Sequence, residues 1–486
     1  MIKNEVISQI TSNRARIGSK SSSFKGVLNL SPTRLNSKCS SLFFMKPMTY
    51  GKTMLKDFLP EYCNSVEIEP RIYQPEFARL EAELDKVLEN PLGFNRSLED
   101  IIRTNPNGKT IILVDDHTRP NKHTPKVLPL LLHRLREYGT KNINILFATG
   151  SHRDPTTEEQ RGIVGDETYE SYKEKFLTHN YLSNCVDIGN TSSGVPIRLN
   201  KYVVDADNVI PLTDSELHYF AGVAGTRKSI CPGVSHEETI KKTHAKMFDP
   251  KDGFRPECRL GNVRNNPVSV EFNEITRRLM ERVNLFGVDV LMCGDEPVHV
   301  SAGDVLELHK QAIPKIVEMR SVEVDSEADV TIVDSGITGQ NLYQAGKGFH
   351  CGWYSAKKDG TGKIILLAPC NDGVGNDAYE KMMMEIYGMD IKDALSHILE
   401  KYCNEKEFKI GYQKPVDLLR ILASLGETSL LLLSEMKKDY VEKMRLQYIP
   451  RISDPETDLK RYLENTIEEG MKVNLIYDPG VLIKVK

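Results

Sequence analysis

Between Thr110 and Arg153 the chain alternates in a way that leaves few folds open to it. Thr110-Ile111-Ile112-Leu113-Val114 is an unbroken apolar run, closed by the polar loop Asp115-Asp116-His117-Thr118-Arg119-Pro120. A leucine-rich helical pattern follows over about 126–138, and a second apolar run, 143–148, ends in Thr149-Gly150-Ser151-His152-Arg153. Short apolar runs bounded by polar turns read as buried strands. Strands alternating with helices imply a parallel sheet with crossover connections. Ligands of such sheets bind outside the carboxyl ends of the strands, so both polar loops point at one crevice.

Further strand-like runs follow at 207–212, 288–292, 328–333 and 363–368. With 486 residues the chain is long for a single domain, and 298–313 reads as the crossing into a second. The expected fold class is α/β in two domains. A Rossmann-like parallel-sheet N-terminal domain spans 48–305, and a smaller α/β C-terminal domain spans 306–450, with the active site in the cleft. A C-terminal helix and strand over 451–486 remain, with a return to the N-terminal domain as one arrangement.

Charge and cysteine usage narrow the partners. The net charge is −4 and no basic stripe argues for nucleic acid. No apolar run approaches the roughly 18 residues of a membrane span. Nine scattered cysteines without a CxxC fit a reduced, cytoplasmic compartment better than a disulfide framework. Residues 1–47 differ from the rest, with eight Lys/Arg, the single acid Glu5 and a serine-rich run at 19–23. That composition fits an organelle transit peptide, a disordered extension, or a frame whose start is Met45 or Met48. The cytoplasmic expectation therefore leaves organelle targeting open.

The densest chemistry lies in Ser215–His244, SELHYFAGVAGTRKSICPGVSHEETIKKTH. Glycines at 222, 225 and 233 suit positive φ or close backbone approach. Two familiar motifs fail here. A phosphate loop needs glycine directly before Lys228, where Arg227 stands. His236-Glu237 would need histidine at 240 to make a zincin, and Ile240 is there. GxGxxG follows none of the early strands, which weakens an NAD-dependent dehydrogenase.

The stretch instead resembles the lactate racemase family, the nickel-pincer-nucleotide enzymes that invert 2-hydroxy acids. Its pattern is carried by His218, Gly222, Gly225, Lys228, Pro232-Gly233, Glu238-Thr239-Ile240 and His244. The family's DDxTRP loop matches 115–120, its GxHR loop matches 150–153, and its YQAxK segment matches Tyr343-Gln344-Ala345-Gly346-Lys347. Taken singly, each part has a plainer reading: a helix-capping Asp–Arg pair, a satisfied loop histidine, an exposed Gln–Lys pair on one helix face, a surface His244. Their joint order and spacing outweigh those readings.

The resemblance implies roles. His152 and His218 are the acid–base pair. Asp116, His117, Thr118, Arg119 and Lys228 hold the cofactor, with Lys228 as its covalent thioamide lysine and His244 as the nickel ligand. Arg119, Tyr343, Gln344 and Lys347 bind the substrate, and the partners are a small 2-hydroxy acid and the cofactor-synthesis proteins. Some lactate-specific members carry a tryptophan near 408, where this chain has Phe408, which leaves the identity of the acid open. Two histidines suit the inversion, because a hydroxyl proton must be handled on each side of a planar keto acid. A hydride acceptor must come from a cofactor. The alternative reading is a non-catalytic nickel- or nucleotide-cofactor-binding protein of the same fold, which would need neither histidine.

Overall fold

The computed structural model describes residues 45–119 and 122–486; the basic stretch 1–44 and Pro120 of the DDxTRP match lie outside the described residues. An early strand, β1 (Asn64–Ile68), belongs to a sheet built mostly from the far end of the chain. The intervening residues make another sheet: β2 (Lys109–Val114), β3 (Asn142–Phe147), β4 (Phe176–Thr178), β5 (Asn208–Asp214), β6 (Asn284–Cys293) and β7 (Glu296–Asp304). Their order is β7-β6-β5-β2-β3-β4, parallel except for the β6–β7 pair. The expected alternation of buried strand, polar loop and helix is therefore present.

Helices cover this sheet because their apolar stripes match it. Helix α1 (Thr124–Glu137) buries Val127, Leu128, Leu131, Leu132 and Leu135, the i, i+1, i+4, i+5, i+8 spacing of one helical face. Each such side chain contributes about 1.5–3 kcal/mol when fully buried. They pack against Ile112, Val114, Ile145 and Phe147. Further on, α2 (Thr226–Ile230), α3 (Glu237–Ala245) and α4 (Pro267–Met280) cluster beside β5. The long α5 (Val305–Arg320) then leaves the sheet.

The second sheet comprises β8 (Val330–Asp334), β9 (Lys363–Leu367), β10 (Leu430–Leu433), β11 (Gln447–Tyr448), β12 (Lys472–Ile476) and β1. Its order is β11-β10-β9-β8-β12-β1, all parallel. After β8 come two short helices, α6 (Leu342–Ala345) and α7 (Lys347–Trp353), and before β10 lies α8 (Gln413–Leu425).

Three expectations need correction. The stretch from Val298 is not yet the crossing: Val298, Val300 and Ala302 are buried in β7, the antiparallel edge of the first sheet, and the crossing begins with α5. The C-terminal segment 451–486 does not return to the first sheet. Val473, Leu475 and Ile476 are fully buried in β12, an apolar run suited only to the interior of a parallel sheet, between β8 and β1. The last two strands also do not pair with each other, since Leu482–Val485 lies beside Ser321–Val324.

Candidate functional site

The strand order sets where a ligand can lie. From β2 the first sheet runs to β3 and β4 on one side and to β5 on the other, so a crevice opens where the loops after β2 and β5 part. Those loops are 115–119 and 214–218. In the second sheet the order reverses in the same way around β8 and β12, and the chain after β8 leads to α6 and α7. A cavity of about 710 Å³ lies between the two sets of loops, lined by His117, Thr118, Arg119 and His152 from one and by Tyr343 and Gln344 from the other.

Asp116 is the anchor of the first loop. Its Oδ1 accepts hydrogen bonds from the Thr118 amide (3.1 Å) and hydroxyl (2.6 Å), and its Oδ2 lies 2.5 Å from His152 Nδ1. Burial opposes ionisation of Asp116, but His152, Thr118 and Arg119 outweigh it and hold the carboxyl down at about 2. An ionised carboxylate only accepts, so His152 carries a proton on Nδ1, and in the neutral ring Nε2 is the lone pair. The residue expected to touch the cofactor thus has its carboxylate turned to His152. His117 stands 6.4 Å from His152, ring to ring, with its buried Nδ1 unpartnered.

His218 sits in a tight hairpin, Leu217–His218 against Gly222–Val223. Its Nδ1 accepts the Ala221 amide N–H at 3.2 Å, so its uncharged ring carries the proton on Nε2. The two histidines therefore differ: His152 keeps Nε2 as an acceptor and His218 keeps it as a donor. Burial, followed by the positive charges of Lys228, Arg119 and Lys347 and by nearby His244, lowers the proton affinity of His218 well below the usual histidine range.

The glycines of this stretch bring the chain against itself rather than against a ligand. Gly225, at φ +106°, precedes α2, and a Cβ there would lie 2.1 Å from Ser215 Oγ, which donates to Asp289 Oδ1 at 2.7 Å. Gly222, at φ +83°, would put a Cβ 2.1 Å from the Asn262 carbonyl. Arg227, standing where a phosphate loop would have glycine, is fully buried and donates to Ser269, Asn273 and the Val223 carbonyl, which ties α2 to α4.

Next on α2, Lys228 Nζ makes no hydrogen bond or ion pair among the described residues. Burial and then Arg119 and Lys347, against the pull of Glu216, hold this amine well below the usual lysine range. On α3, His244 Nδ1 lies 2.9 Å from the Ile240 carbonyl and donates to it, leaving Nε2 unprotonated. Burial and nearby Lys228 push His244 down to about 3, and Phe220, Phe272 and Phe408 surround its ring. A neutral imidazole oriented by a carbonyl is the form that ligates a transition metal. An uncharged amine is the form that makes a covalent bond. The donor set fits a nickel-bearing cofactor linked through lysine.

The cations expected to hold the substrate come from both sheets. Arg119 Nη1 is 3.4 Å from Glu216 Oε1. Lys347, the first residue of α7, is pushed down to about 8 by burial and by Arg119, with Glu216 opposing. Gln344 belongs to α6, which ends at Ala345, so the exposed Gln–Lys pair on one helix is absent. Instead Tyr343 and Gln344 face the cleft and Lys347 lies near Arg119. Glu216 was missed in the sequence. The signal was an acid two residues before His218, and the structure sets it among Arg119, Lys347, Arg320 and Lys228, which lower its pKa against burial. Behind it, burial raises Asp115 to about 6 and Asp289 to about 8.

Comparisons with known proteins place the chain in a family. The lactate racemase N-terminal domain model matches residues 50–254 and the C-terminal domain model residues 322–483. A curated lactate racemase from Thermoanaerobacterium thermosaccharolyticum is 30% identical over 413 residues, 82% of this chain and 89% of that protein. Another, from Lactiplantibacillus plantarum, is 32% identical over 308 residues, 62% of this chain and 69% of that one. The solved lactate racemase apoprotein from T. thermosaccharolyticum superposes with a TM-score of 0.76 at 27% identity, covering 90% of this chain and 99% of its own. A Thermotoga maritima protein shares the fold at TM-score 0.59 and 18% identity, with 80% of this chain and 98% of that one covered.

Proposed function

The chain belongs to the lactate racemase family and is an isomerase, and on that premise we propose that it inverts C2 of a 2-hydroxy acid with His152 and His218 as proton carriers. The hydrogen on C2 is barely acidic, because its removal as a proton would set a second negative charge beside the carboxylate. Departure as hydride, with the hydroxyl proton passing to a base, gives a planar 2-keto acid that can be reduced from either face. No side chain accepts hydride; a nickel-pincer nucleotide held through Lys228 and His244, beside His117 and Thr118, supplies that chemistry when bound.

The chain's own residues do the rest. Arg119 and Lys347 hold the carboxylate from opposite sheets, each charge-assisted contact contributing about 1.5–3 kcal/mol. Tyr343 and Gln344 form the wall against which the acid lies. His152 takes a hydroxyl proton on Nε2, and the Asp116 carboxylate stabilises the cation that forms. His218 meets the oxygen with its Nε2–H. To accept from the opposite hand, His218 must first move its ring proton from Nε2 to Nδ1, which requires Nδ1 to leave the Ala221 amide.

The observation that carries this reading is the company His218 keeps: Lys228, Arg119, Lys347 and His244 all lie near enough to change its proton affinity. Four expected roles, from both sheets, meet around one imidazole. The test uses protein from cells able to make the cofactor. Nickel, a mass adduct on the Lys228 tryptic peptide, and interconversion of lactate or a related 2-hydroxy acid are expected. Nickel-loaded protein that inverts no 2-hydroxy acid would overturn the reading, whereas an unmodified Lys228 with activity intact would remove only the covalent link.

A further inference from the structure

Behind the substrate wall lies a lysine that the reaction does not use. Lys414, in the first turn of α8, is 7% exposed, and its Nζ has no hydrogen-bond acceptor. It points between two aromatic rings, 5.0 Å from the centroid of Tyr219 and 5.7 Å from that of Tyr343. Tyr219 directly follows His218, and Tyr343 lines the cleft. Tyr343 is therefore both a wall of the substrate cavity and a neighbour of the buried amine. Its hydroxyl lies 3.2 Å from the amide nitrogen of Gln413, the residue beside Lys414.

The nearby acid is already engaged. Asp417, one turn along α8, accepts from His350 Nδ1 at 2.9 Å and from Arg420 at 2.7 Å. His350 packs its ring 5.5 Å from that of Tyr219, and its Nε2 is also buried without a partner. A lysine ammonium offers three donors and no acceptor, and buried donors are expensive to leave unmet. Burial and Lys347 push Lys414 down to about 7, with Asp417 opposing. An anion arriving beside Tyr343 and Tyr219 would satisfy it and restore its charge.

A lone carboxylate on the substrate is already assigned to Arg119 and Lys347, so this anion must be a further group. We propose that the cleft is built for a 2-hydroxy dicarboxylic acid, whose second carboxylate is bound by Lys414 between Tyr219 and Tyr343. This rests on the racemase reading and adds the substrate class to it. Selectivity against lactate follows, because the lactate methyl group leaves the amine without an acceptor.

The experiment compares interconversion of malate and of lactate by the nickel-loaded holoenzyme. The malate-to-lactate ratio of kcat/KM should be about tenfold or more, should fall at least about tenfold in Lys414→Met, and should be partly kept in Lys414→Arg. A purely structural lysine would lower both activities together and leave the ratio unchanged, which would overturn the proposal. A wild-type enzyme that favours lactate would overturn it too, while leaving the racemase reading intact. Loaded protein inactive on both acids would sink the two together.

Discussion

His152 Nδ1 lies 2.5 Å from Asp116 Oδ2, and that contact decides which nitrogen of the imidazole is free to act. The carboxylate is ionised across the working range, being held at about 2. Its Oδ1 is engaged by Thr118, so Oδ2 is turned to the histidine. Asp116→Asn keeps the shape but removes the demand for Nδ1–H. Outer-shell partners of this kind are worth about 10–100-fold, so kcat should fall by that much while the fold persists. A kcat within twofold of wild type would show that the carboxylate does not select the tautomer.

The two histidines should not serve the two enantiomers equally well. His152 can accept a proton as it stands, whereas His218 must first release the Ala221 amide. Single-turnover reduction of the loaded enzyme should be faster with the hand whose hydroxyl faces His152. That hand should be lost in His152→Ala and the other in His218→Ala. Equal rates with both hands in wild type would contradict the asymmetry.

If Lys347 holds the substrate carboxylate, as proposed, it should give the activity an alkaline limit. It holds a carboxylate only as the ammonium, and burial beside Arg119 has pushed it down to about 8. Its charge is therefore present below that pH and lost above it, so kcat/KM should decline as the pH rises through about 8. The limb in kcat should lie higher, since a bound carboxylate restores proton affinity. In Lys347→Arg the decline should disappear, because guanidinium stays charged; a decline that persists there belongs to another group.

His244→Ala should lose nickel and little else. The imidazole is uncharged, its Nδ1 is tied to the Ile240 carbonyl, and its ring fills a phenylalanine cage. Elemental analysis should find the variant depleted of nickel while circular dichroism remains that of wild type. Full occupancy would move the metal ligand elsewhere.

Arg227 makes a prediction about stability alone. It is buried with no carboxylate in contact, bound instead to Ser269, Asn273 and a carbonyl, and burial pushes it down to about 9. Arg227→Met should cost about 2–3 kcal/mol in chemical denaturation, because those acceptors lose their donor. A loss under about 0.5 kcal/mol, the range of ordinary surface changes, would show that the tie between α2 and α4 is dispensable.

Much of this was legible in the chain. The runs at 110–114 and 143–148 announced parallel strands because strands buried on both faces are largely apolar rather than alternating, with Thr110 and Asn144 the polar exceptions. β7 was harder to read, since Glu296, His299 and Ser301 break its apolar pattern and Gly303 resembles a turn. The destination of β12 was not readable at all: a short apolar strand fits the middle of either sheet. Among the candidate site residues, His152 and His218 were singled out by the resemblance of their motifs to the family's, but their different tautomers depend on Asp116 Oδ2 and the Ala221 amide, which only folding brings to them. Glu216 and Lys414 carried no motif, and their neighbours come from distant parts of the chain.

β1 lies early in the described chain yet inside the second sheet, beside β12 near its close. Among the described residues the chain thus runs from one lobe into the other and comes back through α5, so the lobes are joined by two separate strands of chain. A single cut between Ile68 and Lys109 would leave α5 as the only covalent connection between the lobes, with every peptide bond of the cleft intact.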